Sequence, residues 1–94
     1  MHALQAASTR ALRDLLATQP TTSGKVTFAW RMAAGPALAR AGLLHWSEDG
    51  VLRVDARDAT WRREIHDARP VIAERMNQLL GPDVVKRIVV RTRE

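Results

Sequence analysis

The run Asp49-Gly50-Val51-Leu52-Arg53-Val54-Asp55-Ala56-Arg57 decides how the remainder of the 94-residue sequence folds. In an extended chain successive side chains alternate, so Leu52, Val54 and Ala56 fall on one face and Val51, Arg53, Asp55 and Arg57 on the other. That period of two marks a strand that is apolar on one side and charged on the other. Asp49-Gly50 in front of it is turn chemistry, and Leu43 to Ser47 is a second extended run. The spacing predicts a hairpin across Ser47-Glu48-Asp49-Gly50, whose four loop residues exceed the tight two-residue turn. A strand with one apolar face needs one covering layer and leaves its other face to solvent.

Downstream, Trp61, Ile65, Ala68, Ile72, Met76, Leu79 and Leu80 recur at spacings of three and four, the signature of a helix with one buried stripe. Asp58 or Thr60 can cap it. Asp58 is the better cap, because Thr60 and Glu64 miss the capping-box spacing by one residue. Pro70 falls inside the pattern and predicts a kink or a split into two helices, since proline lacks the backbone donor. Gly81-Pro82 ends the element. Val84 to Thr92 then alternates again, with Ile88, Val90 and Thr92 on one side and Arg87, Val89, Arg91 and Arg93 on the other.

Upstream, a helix is expected from about Lys25, capped by Thr22 or Ser23, kinked or restarted at Gly35-Pro36 and stopped near Gly42. Thr18 to Gly24 reads as a loop, and Leu4, Ala7, Ala11, Leu12, Leu15 and Leu16 as a short amphipathic first helix. The order is α-α-β-β-α(α)-β. This is an α+β class of fold, with helices on one face of a small three-stranded sheet and residues 1–94 forming a single domain.

Composition narrows the function. The chain carries 15 Lys+Arg against 10 Asp+Glu, a net charge of +5. It has no cysteine, which removes disulfides, thiolate catalysis and cysteine-based zinc sites. His2, His45 and His66 are scattered, and neither phosphate-loop pattern, G-x-x-x-x-G-K-[ST] or G-x-G-x-x-G, is present. No enzyme activity, metal, cofactor or small-molecule substrate is expected. The longest uncharged stretch, Leu15 to Gly24, is polar, and no run approaches the roughly 18 apolar residues of a membrane span. Nor do the first residues resemble a signal peptide, so the expected compartment is the cytoplasm.

Strand parity supplies the candidate site. If helices cover Leu52, Val54, Ile88 and Val90, then Arg53, Arg57, Arg87, Arg91 and Arg93 share the open sheet face, opposed there only by Asp55. Most of the net charge is thereby concentrated in one stripe, the footprint of a phosphate-backbone binder. The same arginines would also serve as a solvated face that blocks edge pairing. Trp30 and Trp61 fall on apolar helical faces and are expected in the core. Trp46, near the hairpin tip, can stack a nucleobase beside the basic face or bury with Leu44.

The ordered set Trp30…Gly35-Pro36 with Leu38-Ala39, then Asp49-Gly50-Val51-Leu52-Arg53-Val54, then Ala59-Thr60-Trp61-Arg62-Arg63-Glu64-Ile65, resembles the DciA family of bacterial replicative-helicase loaders. The resemblance continues through Arg75-Met76-Asn77-Gln78-Leu79-Leu80-Gly81 and Val85 to Ile88, and spans about residues 26–92. It implies a KH-like fold, a role in DNA replication, contact with the replicative helicase, and binding of DNA, single-stranded above all. Family members often carry a His and a Pro before the hairpin, where Ala41, Gly42 and Leu44 stand here. They also usually extend into a flexible basic tail, and none is expected in this sequence. The break expected at Asp67-Ala68-Arg69-Pro70 holds no glycine, unlike the G-x-x-G loop with which RNA-binding KH domains clamp a backbone. Two alternatives stay open: a protein-only module for an acidic partner, and an RNA-associated KH-like protein.

Overall fold

The computed structural model of the chain describes Ala11 and residues 21–93. The helix expected over Leu4 to Leu16 lies, apart from Ala11, outside the described residues. Helix α1 spans Ser23–Arg40, strand β1 Gly42–Trp46, strand β2 Val51–Ala56, helix α2 Ala59–Leu80 and strand β3 Arg87–Thr92. Of the two candidate caps for α1, Thr22 is the one used: its Oγ1 accepts the Lys25 N–H at 3.2 Å.

The expected break in α1 is present. Gly35 sits at φ 84, ψ 167, outside helical space. Pro36 follows as the first residue of the restarted helix, a position where its missing N–H costs nothing. Glycine is required at the break because an L side chain is strained at that φ. Interrupting the ladder leaves carbonyls of the upstream half in need of donors, and Arg75 Nη1, from α2, donates to the Ala33 carbonyl at 3.3 Å. Gly42 is the first residue of β1 and not a helix stop; Ala41 caps α1, donating its N–H to the Leu38 carbonyl.

Asp58 caps α2, its Oδ1 accepting the Trp61 N–H at 2.9 Å. Of the kink or split expected at Pro70, the split does not occur: α2 runs as one helix through Pro70. The proline deprives the His66 carbonyl of its usual donor, and the Arg69 Nε donates to that carbonyl instead, at 2.9 Å. A side chain one residue away thus supplies the bond that the pyrrolidine nitrogen cannot.

The strands lie in the order β1-β2-β3, with β1 antiparallel to β2 and β2 parallel to β3. The α2 crossover between β2 and β3 is what permits the parallel pair. At the hairpin, the Gly50 N–H donates to the Ser47 carbonyl at 3.0 Å and closes a turn. Chiefly a hydrogen bond from the Ser47 side chain holds the exposed Asp49 carboxyl below the ordinary carboxylate range. The Gly50 carbonyl also accepts the Lys86 N–H at 2.8 Å, so the hairpin and the start of β3 meet at this residue. Gly50 has φ +90, and a Cβ there would lie 3.0 Å from the Val84 carbonyl oxygen and 2.8 Å from Lys86 Cγ. Gly50→Ala should therefore cost about 2 kcal/mol from backbone strain, before any displacement of Val84. Urea unfolding with an unchanged m-value would measure it; a loss under about 0.5 kcal/mol would contradict the assigned backbone.

The alternation read from the sequence holds in β2. Leu52, Val54 and Ala56 are each 0% exposed, while Val51, Arg53 and Asp55 are partly accessible. Across them pack Val26, Ala29, Trp30 and Ala33 of α1, Ile65, Ile72, Met76, Leu79 and Leu80 of α2, and Ile88 of β3. All of the buried strand residues share one face, so both helices cover the same side of the sheet. Each fully buried large aliphatic side chain contributes about 1.5–3 kcal/mol. Trp30 is 1% exposed and belongs to this core as expected; Trp61 is half-buried against it.

The last strand begins at Arg87, three residues later than expected. Residues 84–86 are held as a connection because Asn77 of α2 grips Val85 on both sides. Its Oδ1 accepts the Val85 N–H at 2.7 Å and its Nδ2 donates to the Val85 carbonyl at 3.0 Å. The Gly81 N–H donates to the Asn77 carbonyl and closes the helix.

Candidate nucleic-acid interface

The register places the open-face residues in rows. His45, Arg53 and Val89 stand abreast, as do Leu43, Asp55 and Arg91, while Val51 pairs with Arg87. Arg87 and Arg91 are exposed on β3 and lie four residues, about 13 Å, apart along the strand. Both extend from the uncovered face, where the sequence parity put them.

Arg53 is on the same face but is engaged. Its Nη2 donates to Asp55 Oδ2 at 3.5 Å, and its Nε lies 3.3 Å from Asp55 Oδ1, an ion-pair distance without hydrogen-bond geometry. His45 Nε2 is 2.9 Å from Asp55 Oδ2, so two donors from neighbouring strands converge on one carboxylate. The Asp55 carboxylate is thereby engaged by Arg53 and His45, while its register partner Arg91 on β3 forms no ion pair with it. The pairing also fixes the Arg53 side chain.

Arg57 and Arg93 lie beyond the ladder. Arg57 follows the last residue of β2, and its guanidinium sits 5.6 Å from the Trp61 ring centroid, turned toward α2 by a cation–π contact. The Arg57 N–H donates to the Ala41 carbonyl at 2.8 Å, and the Arg93 N–H to the Ala56 carbonyl at 2.9 Å. Arg93 thus stands at the end of the sheet. It lines a cavity of about 300 Å³ together with Arg31 and Arg40 of α1. The five arginines therefore form a face with a rim rather than a single flat stripe, because strand alternation ends where the ladder ends.

Trp46 is not beside them. It pairs with Leu52 and shares the helix-covered side with Leu44, half-buried against the core. It borders a cavity of about 310 Å³ that also contains Glu48, Asp83 and Lys86, mixed in charge and unlike the open face. Of the two readings left open for Trp46, burial is the one its position follows.

Sequence reasoning missed His45, Arg31 and Arg40. His45 was legible from β1 parity, since it alternates with Leu44 and Trp46. Arg31 and Arg40 carried no signal: they border one cavity with Arg93 only once the chain is folded. Among the described residues, no group of three or more His, Cys, Asp or Glu is placed to hold a metal ion. No described helix is long and apolar enough to cross a membrane.

A mixed three-stranded sheet with helices on one face and arginines on the other defines a small KH-like α+β fold with an open basic surface. Its uninterrupted α2 lacks the loop between helices on which backbone clamping by RNA-binding KH domains depends. The sequence matches the family described as Dna[CI] antecedent, DciA, over residues 3–90, and the chain belongs to that family. Membership gives it a role related to helicase loading in DNA replication. No curated protein matches the sequence.

Proposed function

We propose that the chain is a non-enzymatic, cytoplasmic replication accessory protein that binds DNA, single-stranded in preference, and contacts the replicative helicase to assist its loading. The observation that carries the DNA reading is the exposure of Arg87 and Arg91 on a sheet face that neither described helix covers. Arg53, Arg57 and Arg93 extend the positive surface around them. Guanidinium groups are suited to phosphate oxygens, and contacts of this kind position a strand without reading its sequence. Trp46 lies away from this surface, so the binding mode rests on phosphate contacts rather than base stacking. The helicase contact follows from family membership.

The test is fluorescence anisotropy with single-stranded DNA, duplex DNA and single-stranded RNA of equal length across a salt series. Three to five engaged arginines predict a slope of log K against log salt of roughly −2 to −3.5 on a single strand. Binding with that slope, favouring single-stranded DNA, is the expected result. A preference for RNA would support the RNA-associated alternative. Absence of binding at low salt would leave the protein-only module.

A further inference from the structure

The end of the sheet carries a second positive feature, separate from the exposed pair on β3. Arg31 and Arg40 of α1 and Arg93 after β3 border one cavity of about 300 Å³, walled also by Thr27, Trp30 and Leu43. None of its described lining residues is acidic. Arg31 and Arg40 also border a neighbouring cavity of about 460 Å³ with Pro36 and Ala39, so the two form a continuous groove along the restarted end of α1. Arg31 and Arg40 come from the two halves of α1 on either side of the break at Gly35.

The arginines and the open apolar side chains near them identify the chemistry of its occupant. The wall residue Trp30 is 1% exposed, and its indole Nε1 has no hydrogen-bond partner. That nitrogen is closed off from the cavity as it stands, so the indole serves as a neighbouring reporter of an occupant and not as its hydrogen-bond donor. Apolar side chains are open here: Leu43, which lines the cavity, is 55% exposed, and on the same helix as Arg31 Phe28 is 39% and Met32 54% exposed. Phe28 and Met32 are one turn apart on the face of α1 adjoining Arg31. Three arginines with no acidic neighbour among the described lining residues call for an anionic acceptor, and the open apolar side chains call for apolar groups attached to it. Trp30, the only aromatic ring among the described lining residues, is buried and offers no open face for stacking a nucleobase.

We propose that this groove is the docking site for an acidic segment of a protein partner. An Asp or Glu carboxylate sits between Arg31, Arg40 and Arg93, and the segment's apolar residues lie against Phe28, Met32 and Leu43. A bidentate arginine–carboxylate pair fixes the orientation of such a segment, and the apolar contacts set how long it stays. The proposal deepens the reading that the chain contacts a protein in helicase loading and rests on that reading only for the identity of the partner.

Nitrogen-15 NMR of the full chain tests it, because the Trp30 indole N–H is one of three resolvable indole signals. The probes are a synthetic twelve-residue peptide of alternating Glu and Leu, its Lys/Leu counterpart, and a twelve-nucleotide oligothymidylate. The Glu/Leu peptide should shift the Trp30 indole signal saturably, and the Lys/Leu peptide should not. Arg31→Glu with Arg40→Glu should weaken peptide binding at least tenfold with amide dispersion intact, while the oligothymidylate still shifts Arg87 and Arg91. Arg40→Gln alone, which removes one charge with little change in helix preference, should weaken it severalfold. No indole shift with the Glu/Leu peptide, or a larger one with the oligothymidylate, would overturn the proposal. The purified replicative helicase separates the two readings. Binding to wild type that survives in the double variant removes the groove and keeps the helicase contact. Peptide binding without helicase binding keeps the groove and removes that partner.

Discussion

Replacing Arg87 and Arg91 together by glutamate is expected to abolish DNA binding while leaving the fold intact. Each phosphate contact to a single strand contributes about −0.7 to the salt slope, so losing two lowers affinity about 25-fold at 0.1 M salt and flattens the slope by about 1.4. Reversal adds repulsion to that loss. Both side chains are exposed and neither has an ion-pair partner among those resolved in the described residues. Surface substitutions of this kind change stability by about 0.5 kcal/mol or less. Anisotropy and a thermal melt on the same sample read both quantities. A folded double variant with unchanged affinity and slope would remove the sheet face as the binding surface.

Asn77→Ala is expected to produce the largest loss of stability from a single polar substitution. Val85 is 3% exposed, and both its backbone groups depend on the Asn77 amide, at 2.7 and 3.0 Å. Truncation strands a donor and an acceptor in the interior at about 1–3 kcal/mol each, partly relieved by water. A net cost of about 3 kcal/mol would lower Tm by roughly 12–24 °C in a protein of this size. The neighbouring Gln78→Ala, at an exposed position, should cost no more than about 0.5 kcal/mol. A loss at Asn77 no greater than at Gln78 would show that water replaces the amide without penalty. The proposed binding surface is coupled to the same bond. Val85 fixes where β3 starts, and a one-residue slip of that strand would turn Arg87 and Arg91 toward the core.

Much of this was readable from particular residues. The alternation in Val51 to Arg57 located the buried face, Asp58 the start of α2, and Gly35-Pro36 the break in α1, because each depends on neighbours within about four residues. Pro70 misled for a definite reason: its cost falls on the His66 carbonyl, and the spacing of apolar residues does not reveal that Arg69 supplies the missing hydrogen bond. The extent of β3 was overestimated because Val84 and Val85 continue the apolar run, whereas Asn77 fixes Val85 in the connection.

The amino-acid sequence alone determines the α+β order, the one-sided burial of the strands, the concentration of arginine on the opposite face and the likeness to the DciA family. The first three are consequences of period, capping and composition, all local in the chain, and the likeness rests on the ordered motifs from Trp30 to Ile88. Only the tertiary structure decides which of those arginines share a surface. Alternation assigns a side only as far as the ladder runs, so Arg57 turns to Trp61, Trp46 remains with the core, and Arg93 meets Arg31 and Arg40 across the end of the sheet. That meeting joins residues more than fifty positions apart, through a parallel crossover.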